Sequence, residues 1–329
     1  MENNLIGHPG ILAAFSLTIL FMLILDLGLF NRKSHIISNK EAATWSLVWI
    51  GISMLFSVFI YINTGLEKFT QFQSAYWIEK SLSVDNLFVF ILVFNFFNVT
   101  RENQHKVLFW GILGALVLRA IFIFSGVGLI KLTYLPAITL FEKSVSINLI
   151  LTGFGIFLIY AGVKSWFVNE EDDEEKDFSK SPGAKFVYRL FKVSKEFDSD
   201  RFFTIENGIR LATPLLVVVG VIEFTDLLFA VDSIPAIFAI APNDPFILYT
   251  SNIFAILGLR SLYFLLANFI YLFSRLKFGL AIILSFIGVK MVIAPFYHIS
   301  SPLSLTIVLS VLVISMLSSV VFPVKKDAV

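Results

Sequence analysis

The chain is built from long apolar blocks of about 20 residues, separated by short stretches rich in charge, Pro, Gly or Asn. About 20 apolar residues in a helix cross the hydrocarbon core of a bilayer. Over 329 residues, 57% are hydrophobic and only 15% charged, against about 25% charged in soluble domains. That surplus of apolar surface cannot be hidden inside a water-soluble globule. Nine blocks read as membrane spans: residues 11–30, 44–62, 76–98, 107–130, 147–168, 213–240, 246–273, 278–297 and 303–323. The predicted fold is therefore all-α, a polytopic membrane protein in which residues 1–329 form one transmembrane domain. Residues 1–10 hold no Lys or Arg, and Asp26 interrupts the end of the first block, so that block reads as a span and not as a secretory leader.

Orientation follows from the basic residues between spans. Loops on one side carry Arg32, Lys33, Lys40, Arg101, Lys106, the basic run within 176–210, Arg275, Lys277, Lys325 and Lys326; the other side carries Lys68, Lys131 and Lys143. The N-terminus is expected outside and the C-terminus in the cytoplasm. A net charge of +1 gives no polybasic surplus for nucleic acid, and no such partner is expected. The absence of cysteine removes disulfides, thiolate metal sites and cysteine nucleophiles together.

The long hydrophilic stretch at 169–212 opens with the acidic run EEDDEEKD at 170–177 and turns basic from Lys180 to Lys195. It reads as a solvated cytoplasmic linker through which protein partners could be held. It lacks the Gly-punctuated spacing of an EF-hand loop. Within it, residues 185–197 interleave apolar and basic side chains and are expected to form an interfacial helix.

Three successive spans resemble the three that follow. SVDNLFVF at 83–90 parallels AVDSIPAIF at 230–238, which pairs Asp85 with Asp232 and Glu79 with Asp226. ILGALVLRAIFIF at 112–124 parallels IFAILGLRSLYFL at 253–265, pairing Arg119 with Arg260; LIYAGVK at 158–164 parallels LSFIGVK at 284–290, pairing Lys164 with Lys290. A first repeat at 76–168 and a second at 213–297, each of three spans, must insert in opposite directions. Inverted repeats around a midplane binding site are an architecture of secondary transporters.

Asp26, Glu79, Asp85, Glu223, Asp226 and Asp232 fall inside the spans, with Lys80, Arg119, Lys164, Arg260 and Lys290. Charges facing lipid are costly, so these residues must face one another or a water-filled cavity. Arg119, Arg260, Lys164 and Lys290 are expected to lock helices as ion-pair partners, or to exchange partners as gates. Asp85 and Asp232 lie mid-span beside Asn86 and Ser233, and Pro235 is expected to interrupt the helix after Asp232 and free backbone carbonyls. Carboxylate, amide, hydroxyl and carbonyl oxygens suit Mg²⁺, Ca²⁺ or Mn²⁺ better than Zn²⁺ or Cu⁺. Glu79 and Asp226 can serve either as ligands or as salt-bridge partners. Glu223, at i and i+3 with Asp226, adds a third acid on that face. Asp26 reads as a pathway residue, with proton acceptor and arginine partner as the alternatives.

Enzyme signatures are lacking: there is no GxSxG, HExxH, Walker A or GxGxxG. An intramembrane aspartyl protease built on Asp85 and Asp232 is disfavoured, because the surrounding Arg and Lys would hold both aspartates ionised. No enzymatic activity is expected. Small residues in GILGA at 111–115 and GFG at 153–155 are expected to permit close helix packing.

At EKSLSVDNLFVF (79–90) and EFTDLLFAVDSIPAIFAI (223–240) the chain resembles the TerC family of integral membrane proteins, which includes the Alx-type manganese exporters of the lysine-exporter-like group. The resemblance runs over nearly the whole chain. It implies efflux of Mn²⁺ across the inner membrane, with Mn²⁺ as the transported substrate and no permanently bound cofactor. It places Glu79, Asp85, Asn86, Glu223, Asp226, Asp232 and Ser233 on the metal pathway. On this reading Asp26, Lys80, Arg119, Arg260, Lys164 and Lys290 line the route or compensate charge, and exchange of metal against protons is a compatible driving force. A membrane assembly factor that assists exported proteins, and a Ca²⁺ or H⁺ transporter of the same architecture, are the alternatives.

Overall fold

The computed structural model describes residues 9–30, 38–136, 138–140, 143–167, 177–268, 276–297 and 299–321. Its helices are α1 (Pro9–Phe30), α2 (Asn39–Thr64), α3 (Leu66–Phe96), α4 (Arg101–Leu132), α5 (Leu149–Phe167), α6 (Pro182–Leu190), α7 (Pro214–Phe238), α8 (Pro245–Leu257), α9 (Leu259–Asn268), α10 (Leu276–Ile293) and α11 (Ser301–Val321). Two antiparallel hairpins interrupt them, β1 (Ile138–Leu140) with β2 (Lys143–Val145), and β3 (Phe203–Glu206) with β4 (Ile209–Ala212).

Local chemistry sets the helix ends. Ser38 caps α2 by accepting from the Glu41 amide at 3.2 Å, and Asp244 caps α8 by accepting from the Ile247 amide at 3.1 Å, with Pro245 in the first turn. Gly65 separates α2 from α3 at φ +88°, a conformation that favours glycine, and its amide closes on the Tyr61 carbonyl. The purely α-helical reading missed the hairpins. At the tip of β3–β4, Asn207 and Gly208 take φ of 51° and 76°, the left-handed pair that an Asn-Gly hairpin turn requires.

By length and composition α2, α4, α5, α7 and α11 can each cross a membrane, and α8 with α9 make a sixth span if the pair, bent by 42°, is taken as one. The described part of each of the nine expected spans falls mainly on a helix or on that bent pair, residues 269–273 of the seventh lying outside the described residues. Helix α3 is long enough but carries Glu67, Lys68, Glu79, Lys80 and Asp85, and α10 has a shorter apolar stretch. Exposed apolar side chains cover the outside, among them Leu55, Ile62 and Val117, the surface that lipid rather than water would accept.

Helix α3 is the hub and packs on α2, α7, α8, α9, α10 and α11. The most extensive helix contact joins α5 to α10. There a Cβ added at Gly155 would lie 2.9 Å from the Gly288 carbonyl oxygen, and one at Gly288 would lie 2.6 Å from that of Gly155. The two backbones therefore touch, with Gly162 against Ser285 and the Ala281 carbonyl further along.

Ion pairs mark the two ends of the bundle. Lys68 bonds Asp244 at 2.6 Å and so brings together the starts of α3 and α8. Lys106 bonds Asp200 at 3.1 Å, tying the start of α4 to the segment that leads into α7. Because α7 ends where α8 begins, α3 and α7 run antiparallel.

Residues 177–212 form a small module at the second end. Its helix begins at Pro182, capped by Ser181, and stops at Leu190; the interfacial helix expected at 185–197 is thus shifted and shortened. From Phe191 the backbone is extended, and Val193 bridges Ala212. Proline at the first helical position starts the helix early. The acidic run, apart from Asp177, lies outside the described residues.

Candidate functional site

The charged centre is assembled from helices of both halves of the chain. Arg119 of α4 is 1% exposed and reaches two carboxylates: Glu79 of α3, also fully buried, through Nη1, and Asp226 of α7 through Nη2 at 3.2 Å. Ser83, one turn after Glu79, donates to the same glutamate oxygen at 3.3 Å. The guanidinium can hold two carboxylates because its donors form a planar fork, which an ammonium lacks. Glu79 Oε2 and Arg119 Nε have no hydrogen-bond partner among the described residues. The three formal charges leave an excess of one negative charge.

Glu223 lies one turn before Asp226 on α7, partly buried, with Oε2 lacking a hydrogen-bond partner among the described residues. Its carboxylate occupies the space above Gly114 of α4, where any Cβ would overlap it. Gly111, a turn earlier, admits Ile222, at 3.1 Å from a Cβ built there. The small residues of GILGA therefore let α7 approach α4 closely enough to place Glu223 beside the triad. Ionised, Glu223 would raise the local excess to two negative charges.

Ser233 and Asn86 are buried, and the Ser233 hydroxyl has no hydrogen-bond partner among the described residues. The side chains of Asp26, Asp85 and Asp232 lie outside the described residues. Helix α7 continues through Pro235 to Phe238, so the expected interruption there is not found. The imide nitrogen still offers no donor to the carbonyl of Val231 four residues back. The break occurs instead at Gly258, between α8 and α9. Lys80, 7% exposed, donates at 3.1 Å to the carbonyl of Ala255 in the last turn of α8. An ammonium at the C-terminal end of a helix meets the negative end of its dipole. Arg260 follows the break and is buried, as is Lys290 on α10. Lys164 is exposed, its ammonium 5.9 Å from the Tyr160 ring centre, and forms no ion pair among the described residues.

Sequence reasoning missed Asn252 on α8, fully buried with neither amide atom partnered among the described residues. A lone amide inside the apolar run of α8 was the available signal. Among the described residues no three His, Asp or Glu side chains stand close enough to hold a metal ion. Arg119 engages Glu79 Oε1 and Asp226 Oδ1, and the fully buried carboxylate oxygens without a hydrogen-bond partner among the described residues are Glu79 Oε2 and Glu223 Oε2.

Residues 64–327 match the integral membrane protein TerC family. An uncharacterized membrane protein of Myxococcus xanthus is 42% identical over 318 residues, which cover 96% of this chain and 93% of that protein. Proteins named "Putative membrane-bound redox modulator Alx" are similar over most of their length. The one from Salmonella typhi is 42% identical over 322 residues, covering 95% of this chain and 94% of its own. The Escherichia coli K12 protein is 41% identical over 321, with shares of 95% and 94%. No solved structure matches the chain.

Proposed function

Since the chain belongs to the TerC family of integral membrane proteins, we propose that it carries Mn²⁺ out of the cytoplasm across the inner membrane. The observation that carries this reading is the buried centre of Glu79, Arg119 and Asp226 with Glu223 beside it, an excess of negative charge among membrane helices. Such a centre must be neutralised by a cation or by protons. Its donors are oxygens in a chain without cysteine, which favours a hard divalent ion. Asp85 and Asp232 would complete the ligand shell with Asn86 and Ser233, and Arg119 and Arg260 would hold charge balance when the site empties. Proton uptake by carboxylates that release metal would supply the counter-ion.

The packing supports alternating access by inverted repeats. Like helices meet in pairs, α3 with α7, α4 with α8 and α5 with α10. The cross contacts are reciprocal, α4 on α7 beside α3 on α8, and α5 on α7 beside α3 on α10. The antiparallel run of α3 and α7 is what inversion requires. The Alx relatives are named for redox modulation, and this chain has no thiol with which to perform it; export of a redox-active metal would reach the same end by another route.

Mn²⁺ flux in vesicles holding the purified protein tests the reading, with Asp85→Asn and Asp232→Asn beside the unaltered chain and Ca²⁺, Mg²⁺ and Zn²⁺ as competitors. Mn²⁺-selective flux is expected, lost in both variants while they stay folded. Absence of any cation flux under a pH gradient and under a membrane potential would overturn it in favour of a membrane assembly role.

A further inference from the structure

The module at 177–212 presents a surface that the transport reading does not use. One face of α6 is clamped on α7: Ala184 and Val187 are buried, and a Cβ at Gly183 would overlap the Gly220 carbonyl. The outward side carries two ridges at i and i+4 spacing. Phe186 (63% exposed) and Leu190 form an apolar ridge, and Lys185 and Arg189 form a basic one beside it.

The surface continues onto the hairpin. Phe191 meets the Phe203 ring at 5.5 Å, and the Arg210 guanidinium stacks over Phe203 at 4.4 Å. Ile205 is paired directly with Arg210, so both lie on the Phe203 face of the sheet. Ile205 is 74% exposed. Residues 178–195 contain five basic side chains and no acidic one.

Depth distinguishes a lipid surface from a soluble partner. Gly220 and Phe224, which α6 touches, lie six and ten residues into α7, or about 9 and 15 Å along its axis. Helix α6 therefore lies alongside a membrane-spanning helix and not beyond its end. Aromatic and aliphatic side chains interleaved with Lys and Arg at that level match the boundary between acyl chains and anionic headgroups.

We infer that α6 and the β3–β4 hairpin form an interfacial anchor that binds anionic phospholipid. The inference rests on the membrane placement of α7 and is independent of what the protein transports.

The absence of cysteine allows a direct test on the full chain. Single-cysteine variants Phe186→Cys, Leu190→Cys and Ile205→Cys, with Glu196→Cys as an exposed polar control in the same module, are labelled with an environment-sensitive fluorophore. They are placed in nanodiscs of phosphatidylcholine with or without phosphatidylglycerol. Brominated lipid should quench the first three at least twofold more than the control, and aqueous iodide should quench them less. The contrast should grow with phosphatidylglycerol and shrink when Lys185→Gln and Arg189→Gln are added. The proposal is overturned if labels at 186, 190 and 205 are as open to iodide as the control. It is equally overturned if their quenching ignores phosphatidylglycerol. Three labelled positions and a monodisperse elution profile guard against one misfolded variant deciding the outcome.

Discussion

Replacing Arg119 with Met removes the cation that two buried carboxylates share. Glu79 is wholly buried and Asp226 nearly so, so neither gains water in compensation. Taking one partner from a buried ion pair costs about 3–5 kcal/mol, chiefly because the remaining charge is stranded. With two carboxylates stranded, Arg119→Met should fall at or above the upper end of that range. Arg119→Lys keeps the charge but cannot fork to both acids, and should lose about half as much. The triple variant Arg119→Met, Glu79→Gln, Asp226→Asn removes every charge and should recover to within about 1–2 kcal/mol of the parent. The measurement is reversible unfolding by sodium dodecyl sulfate in mixed micelles, followed by near-ultraviolet circular dichroism. A loss below about 1 kcal/mol in Arg119→Met, or a triple variant no more stable than the single one, would refute the claim that the arginine holds the three helices by charge.

Gly114→Ala puts a methyl group where the Glu223 carboxylate sits; the flexible glutamate should swing away at a cost of about 1–2 kcal/mol, and the vesicle assay should show slowed Mn²⁺ flux with the fold intact. Gly155→Val wedges the α5–α10 seam apart and should cost about 3 kcal/mol or more in the same unfolding assay, since the opposing groups include the Gly288 carbonyl, which cannot rotate out of the way. A hydrogen bond and charge from Lys106 hold the Asp200 carboxyl below the usual carboxylate range. That interaction is present above the ordinary carboxylate pKa and is lost as pH falls through Asp200's lowered one. Hydrogen exchange around residues 198–204 should therefore quicken on acidification, modestly because the pair is exposed, and Lys106→Met should abolish the dependence.

Much of this was legible in the chain because hydrocarbon leaves few choices. Apolar blocks must be helices when no water is present to satisfy the backbone, and the expected spans fall on helices within a few residues for 11–30 and 303–323. Charges inside such blocks had to meet, and Arg119 does meet Glu79 and Asp226. What the sequence could not reveal was which partner each charge would choose. Lys80 takes a helix-end carbonyl rather than an acid, and Lys164 lies at an exposed position, because those choices depend on the rotation of one helix about its axis against the next. The break at Gly258 was hidden for a related reason. Proline announces a kink in sequence, whereas Gly258 sits where Lys80 Nζ would be 2.8 Å from a Cβ, a close approach visible only in three dimensions. Asn207-Gly208 carries a hairpin-turn signal in the sequence, but it lies in a polar stretch whose composition is that of a solvated linker.

The glycine seam between α5 and α10 also bears on how two halves of a bundle can move. Helices that interlock through large side chains behave like meshed gears: ridges must climb out of grooves before one helix can slide or turn on another. Gly155 against Gly288 brings the two backbones together, and Val292 and Ile159 fill the space that side chains at the two glycines would take. Such a joint has small teeth, so a rotation of α5 on α10 would have less to disengage there than at the bulkier contacts of α3.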